Sequence, residues 1–170
     1  MPSYNRFKFI KIVNITINIE KYSDGQENEI SLLIKKVYDE FVALDYSDEG
    51  NAFFYDFIQP KNILERQKMS PTILVAKYNS KIVGMIELRD NSYISLLFVD
   101  KEFQGQGIAK RLYREALDVL IPVDLRPTRF YVHASPYSIA IYKSLGFSET
   151  DSMQEEHGIK YLPMEARITF

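Results

Sequence analysis

Cysteine is absent from the 170-residue chain, which excludes disulfides, thiolate metal sites and a cysteine nucleophile. Histidine is nearly absent: His133 and His157 are the two present, too few and too widely separated for a metal cluster, so no metal is expected. There is no basic excess either. With 21 Lys and Arg against 23 Asp and Glu, the formal net charge is −2, whereas nucleic-acid binding leaves a basic footprint. No run approaches the roughly 18 apolar residues of a membrane span, and the N-terminus lacks the apolar stretch of a secretory leader. Neither repeat, low-complexity tract nor linker occurs. A cytoplasmic protein that engages neither nucleic acid nor membrane is expected. Its 46% apolar composition suffices for one sizeable core, so residues 1–170 read as a single domain.

The order of elements follows from periodicity. Residues 9–19 alternate like a strand, with Ile10, Ile12, Ile15, Ile17 and Ile19 apolar. After the turn DGQENE, Ile30, Leu33, Ile34, Val37, Tyr38 and Phe41 form a helical stripe. A second helix, broken near Pro60, follows. Residues 72–78 and 81–89 read as strands joined by the tight turn Asn79-Ser80, and a third strand at 93–99 completes an antiparallel meander. Helix 107–121, strand 130–134, helix 136–145 and a strand pair within 147–167 complete the chain. Such an order predicts an α/β (α+β) sandwich, a mixed, mostly antiparallel sheet of about six or seven strands flanked by about four helices.

The segment SYISLLFVDKEFQGQGIAKRLYREALDVLI is the most informative. An apolar interior strand is followed by a glycine loop and then by a helix with apolar residues at 108, 112, 116 and 120. A helix N-terminus exposes unpaired N–H groups and partial positive charge, and glycines let a phosphate come close. Three phosphate-binding patterns compete. A P-loop fails because Gly105 and Gly107 are too close together and Lys110 is followed by Arg111. A Rossmann fingerprint is poor, since Lys110 stands at the third glycine and strand FYVHAS ends without a carboxylate. The third, Gln/Arg-x-x-Gly-x-Gly/Ala, is met at every fixed position by Gln104, Gly107 and Ala109.

A second pattern lies downstream in FYVHASPYSIAIYKSLGF. Ser135 suits an N-cap, Pro136 the first helical position and Gly146 the C′ position. Against a strand followed by Asn-x-x-Ala-x-x-x-Tyr-x-x-x-Gly-Phe, the chain has Ser135 for Asn and Ser138 for Ala, then Tyr142, Gly146 and Phe147 in place. In the order and spacing of both motifs, over about residues 72–167, the chain resembles the GNAT superfamily of acyl-CoA-dependent N-acyltransferases, most like bacterial members of unassigned substrate.

That resemblance implies acetyl transfer from acetyl-CoA, as co-substrate, to a primary amine of a small molecule, peptide or protein. It implies that the backbone of Leu97, Phe98 and Val99 pairs with the pantetheine arm like an added strand. The loop Gln104, Gly105, Gln106, Gly107, Ile108, Ala109 and Lys110 would then hold the pyrophosphate, with Ser135 touching pantetheine and Lys110 and Arg111 adding charge.

An alkylammonium with a pKa of about 10.4 is only about 0.04% neutral at pH 7, so a base or water relay is needed. A nearby phenol can return a proton to the thiolate. With no cysteine, direct attack in a ternary complex is the simpler route. Tyr142, at the family's tyrosine, is the expected general acid. Glu87, inside the apolar strand VGMIEL, is the expected base, directly or through water, with His133 or water alone as alternatives. Tyr93, where some relatives place a glutamate, is no efficient base at neutral pH.

The acceptor cleft is expected to be bordered by LDYSDEGNAFFYDF, whose Asp45, Asp48, Glu49 and Asp56 lie among Tyr46, Phe53, Phe54, Tyr55 and Phe57. These would suit a cation. The tail EEHGIKYLPMEARI is expected to supply a strand on the acceptor side. A catalytically silent acyl-CoA sensor is the alternative to an enzyme, and oligomeric state is open between monomer and homodimer.

Overall fold

The strands are built as hairpins whose turns the sequence dictates. In the computed structural model, which describes residues 15–168, β2 (Ile73–Tyr78) and β3 (Lys81–Arg89) pair antiparallel. They are joined by Asn79 and Ser80 at φ +47° and +66°, the left-handed pair that matches strand twist. Asp90 and Asn91, also at positive φ, turn the chain into β4 (Tyr93–Val99). Of the strand predicted over 9–19, the described residues 15–17 are not in a strand, and a short edge strand forms later, β1 (Asn18–Lys21), paired with β2. The 9–14 portion of that prediction lies outside the described residues, while Ile17 and Ile19 keep the alternation by packing into the core.

The predicted stripe forms α1 (Glu27–Phe41), burying Ile30, Leu33, Ile34, Val37 and Tyr38. The next segment divides into α2 (Asp48–Phe57) and α3 (Pro60–Met69). Ser47 caps α2 by accepting the Gly50 N–H at 3.1 Å, and Pro60 opens α3 where its missing N–H costs nothing. Then come α4 (Ile108–Val119), β5 (Arg129–Ala134) and α5 (Ile139–Ser144). The expected closing pair is three strands, β6 (Ser148–Glu149), β7 (Gln154–Glu156) and β8 (Ile159–Arg167). Five α-helices and eight strands therefore stand among the described residues. The added strands are the shortest, and the added helix comes from the break at Pro60.

The sheet runs β1-β2-β3-β4-β5-β8-β6, with β7 on β8. Every pairing is antiparallel except β4–β5, which is parallel and consists of one pair, Tyr93 with Tyr131. Tyr131 N–H also donates to Ser92 C=O at 2.8 Å. Beyond that point no pairing joins the two strands, so the β5-facing edge of β4 toward Val99 is left open. Alternation along β2 and β3 sends Leu74, Ala76 and Ile86 to a core under α4 and α5. Ile73, Val75, Ile82 and Met85 go to a second core under α1 and α3. Gly84 lets α4 approach β3, since a Cβ there would meet Leu112 and Ile108 carbons at 3.2 and 3.3 Å.

Candidate active site

The loop after β4 is fixed before it reaches the helix. Asp100 accepts Glu102 N–H at 3.1 Å, which caps the single turn Lys101–Phe103, and Lys36 Nζ of α1 at 2.9 Å. Burial pushes the Asp100 carboxyl up, but Lys36 and that amide outweigh it and hold the group below the usual carboxylate range. Gln104 donates to Val99 C=O at 2.9 Å and accepts the Tyr137 hydroxyl at 3.0 Å. Gly105 and Gly107 follow at φ +74° and +79°, a left-handed conformation that side chains rarely adopt. The first backbone bond of α4 runs from Arg111 N–H to Gly107 C=O at 3.0 Å. The amides of Ile108, Ala109 and Lys110 thus precede any intrahelical acceptor.

These amides border a cavity of about 680 Å³ that continues along the open edge of β4. Gln104, Gly105, Gly107, Ile108, Ala109 and Lys110 line one end; Leu97, Phe98, Val99, Ser135, Tyr142 and His133 line the middle. Of the residues expected to hold coenzyme A, all but Gln106 and Arg111 line it; the Gln106 amide group turns back to Glu102 C=O at 3.4 Å. Arg111 donates to Ile17 C=O at 3.1 Å and faces Glu115 at 3.4 Å, so its charge is used on its own helix and on the chain before β1. Ser135 caps the turn Pro136–Ser138, accepting Ser138 N–H at 3.3 Å and donating to Ser138 Oγ at 2.9 Å.

Tyr142 is buried on α5, edge-on to Phe147 at 5.4 Å. Its hydroxyl has no hydrogen-bond partner among the described residues. Burial, with lesser contributions from Tyr93 and Tyr46, pushes its pKa far up, so the phenol keeps its proton at neutral pH. His133 projects from β5 on the opposite face of the sheet, stacked on Tyr161 at 4.1 Å and met edge-on by Tyr93 at 5.5 Å. One side of the ring is accessible, yet this packing withdraws enough water to lower its pKa. Glu156 opposes the shift and Arg89 adds to it. The imidazole is therefore neutral, and able to accept a proton, at pH 7.

Glu87 does not join them. It is 3% exposed and faces α3, where Arg66 holds both its oxygens, Nε to Oε1 at 2.8 Å and Nη2 to Oε2 at 3.1 Å. Gln67 adds a bond at 3.4 Å. A carboxylate paired in this way has no free oxygen toward the cavity, whose lining it does not enter. The expectation that it is the base is corrected accordingly: its strand position is filled by an ion pair between β3 and α3. The acids expected to bind a cationic acceptor stand apart as well. Asp48 and Glu49 occupy the first turn of α2, where they complement the helix dipole. Asp56 borders a shallow depression on the outer side of α2. The cavity takes Tyr46 and Phe54 from that segment and none of its carboxylates.

Sequence reading missed Arg66, Tyr137 and the wall made by Tyr38 and Val42. Arg66 and Tyr137 act through partners 21 and 33 positions away, and no local pattern announces such pairs.

Comparison with known proteins agrees with this fold. Residues 42–168 match the family model described as acetyltransferase (GNAT) domain. Among solved structures, a GCN5-related N-acetyltransferase from Rhodopseudomonas palustris superposes with a TM-score of 0.75 at 18% identity, covering 90% of this chain and 96% of its own. PaiA N-acetyltransferase from Thermoplasma acidophilum, solved in complex with coenzyme A, gives 0.72 at 17% identity, covering 91% and 100%. A GNAT acetyltransferase from Staphylococcus aureus gives 0.69 at 19%, covering 91% and 100%. No curated protein matches the sequence. None of the described helices is long and apolar enough to cross a membrane. With the family model spanning most of its length and the motif residues gathered around one cavity, the chain belongs to the GNAT acetyltransferase family.

Proposed function

We propose that the protein transfers the acetyl group of acetyl-CoA to a primary amine by direct attack in a ternary complex. The observation that carries this reading is the continuity of the cavity. It joins the unpaired amides at the start of α4 to the open edge of β4, and that edge to Tyr142 and His133. The amides and Lys110 suit a diphosphate, and the edge suits an extended amide-bearing arm. In this reading His133 takes the ammonium proton, directly or through water, and the neutral amine attacks the thioester carbonyl. Collapse of the tetrahedral intermediate breaks the C–S bond, and the Tyr142 hydroxyl donates its proton to the departing sulfur. The second proton of the attacking nitrogen returns to the phenolate, leaving the neutral amide, free CoA thiol and the one proton released through His133. Of the residues lining the cavity, His133 alone has an ordinary pKa near neutrality.

Calorimetry with acetyl-CoA and CoA release with a panel of amines test the proposal. Tyr142→Phe is expected to lower kcat about tenfold or more, within the range for general acid catalysis, while acetyl-CoA affinity changes little. Unaltered turnover would remove the phenol from the reaction. Acetyl-CoA binding without CoA release from any amine would leave the silent sensor instead.

A further inference from the structure

The cavity does not stop at His133. It continues under α1 and α2 into a chamber walled by Tyr38, Val42, Tyr46, Phe54, Leu96 and Phe98. The wall is rigid. Tyr38 stacks on Phe54 with ring centroids 3.9 Å apart, and Phe54 lies 6.1 Å from Phe98. The Tyr38 hydroxyl donates to Asn51 Oδ1 at 2.6 Å, and Asn51 donates to Ala43 C=O at 3.0 Å. The chamber is also uncharged. Among all the residues lining the cavity there is no aspartate, glutamate or arginine, and Lys110 stands at the far, phosphate-facing end. Tyr46 and Phe54 remain half-buried, so this end of the cavity reaches the surface.

We infer that the acceptor is a primary monoamine on an apolar skeleton, an arylalkyl or branched alkyl amine, and not a polyamine, an amino acid or a basic peptide. This rests on the acetyl-transfer reading above. A second charge carried into such a chamber would lose its hydration and find no carboxylate or guanidinium among the lining residues to replace it. An apolar group gains from the same removal of water, and an aromatic one also from ring contacts. The single ammonium can lie against aromatic faces until His133 takes its proton.

The test is steady-state CoA release by the full chain at saturating acetyl-CoA, with 2-phenylethylamine and isoamylamine against putrescine, spermidine, lysine and a lysine-containing peptide. The expected result is a kcat/KM for 2-phenylethylamine roughly twentyfold or more above that for putrescine, consistent with burial of an apolar group against an unpaired charge. Tyr46→Glu, placing a carboxylate at the mouth of the chamber, should shift that ratio toward putrescine by about tenfold or more while acetyl-CoA affinity stays the same. A preference for the charged amines, or release with none of the panel despite calorimetric binding of acetyl-CoA, overturns the inference while leaving donor binding intact. Faster transfer from octanoyl-CoA than from acetyl-CoA would assign the chamber to the donor's acyl chain and overturn it too. No heat with acetyl-CoA at all would instead remove the acetyl-transfer reading on which it stands.

Discussion

A carboxylate inside a sheet must face either a cleft or a partner, and Glu87 has a partner. Removing one member of a buried ion pair leaves the other uncompensated, at a cost of about 3–5 kcal/mol. Arg66→Met is therefore expected to lower the denaturant midpoint by an amount equivalent to about 3 kcal/mol, and Glu87→Gln should leave the pH dependence of kcat/KM unaltered. A changed profile in Glu87→Gln would return the carboxylate to the chemistry. His133 carries the opposite expectation. Because its packing lowers its pKa below 6.5, kcat/KM should rise with pH through a value under 6.5 and then level, and His133→Gln should abolish that rise. The sign for stability follows. In the interval between the lowered native pKa and the unfolded value of about 6.5, the unfolded chain binds more protons. The contribution of His133 to stability is complete above that interval and is lost as pH falls through it.

Three elements converge on the cleft, and Tyr137 ties them together. It stacks on Phe41 of α1 at 4.6 Å and donates to Gln104, which in turn holds Val99 at the end of β4. The ion pair between Lys101 and Glu40 closes the same junction from outside. Tyr137→Phe keeps the stack and deletes one hydrogen bond, a loss of about 1 kcal/mol. It is expected to raise the KM for acetyl-CoA about two- to fivefold with kcat nearly constant, the reverse of the pattern for Tyr142→Phe. Steady-state kinetics on the two variants checks the division. Much of this scale was legible in advance. The stripe of α1, the turn residues 79 and 80, the break at Pro60 and the glycines before α4 each act through neighbours in sequence. What escaped were pairings between distant segments: a strand glutamate looks the same whether an arginine on α3 or a substrate awaits it. β6 and β7 are too short to carry a period.

At the scale of the molecule, the sheet is two blocks sharing a single backbone pair, Tyr93 with Tyr131. On one side β1 to β4 pair continuously, and on the other β5, β6 and β7 all pair with β8. The core under α4 and α5 spans the division, holding Ile86 and Leu88 from one block in the same cluster as Phe130, Val132 and Met164 from the other. Apolar packing, which is non-directional, holds the blocks together where hydrogen bonding does not. The same divergence that opens the β4 edge to a ligand leaves unpaired backbone where the two blocks part. An acyl donor bonded to β4 and resting against the turn after β5 would restore some of that lost pairing. Ligand that binds the native state alone contributes RT ln(1 + [L]/Kd), about 2.7 kcal/mol at a hundredfold excess over Kd. For a chain of this length that amounts to a rise in Tm of about 5–10 °C. Scanning calorimetry with acetyl-CoA should show it. Amide exchange should slow in residues 94–99 and 105–110, next to the cavity, more than in β2, whose partners on both sides are already in place. Equal protection across the whole sheet would mean that the donor stabilises the fold without bridging the gap between β4 and β5.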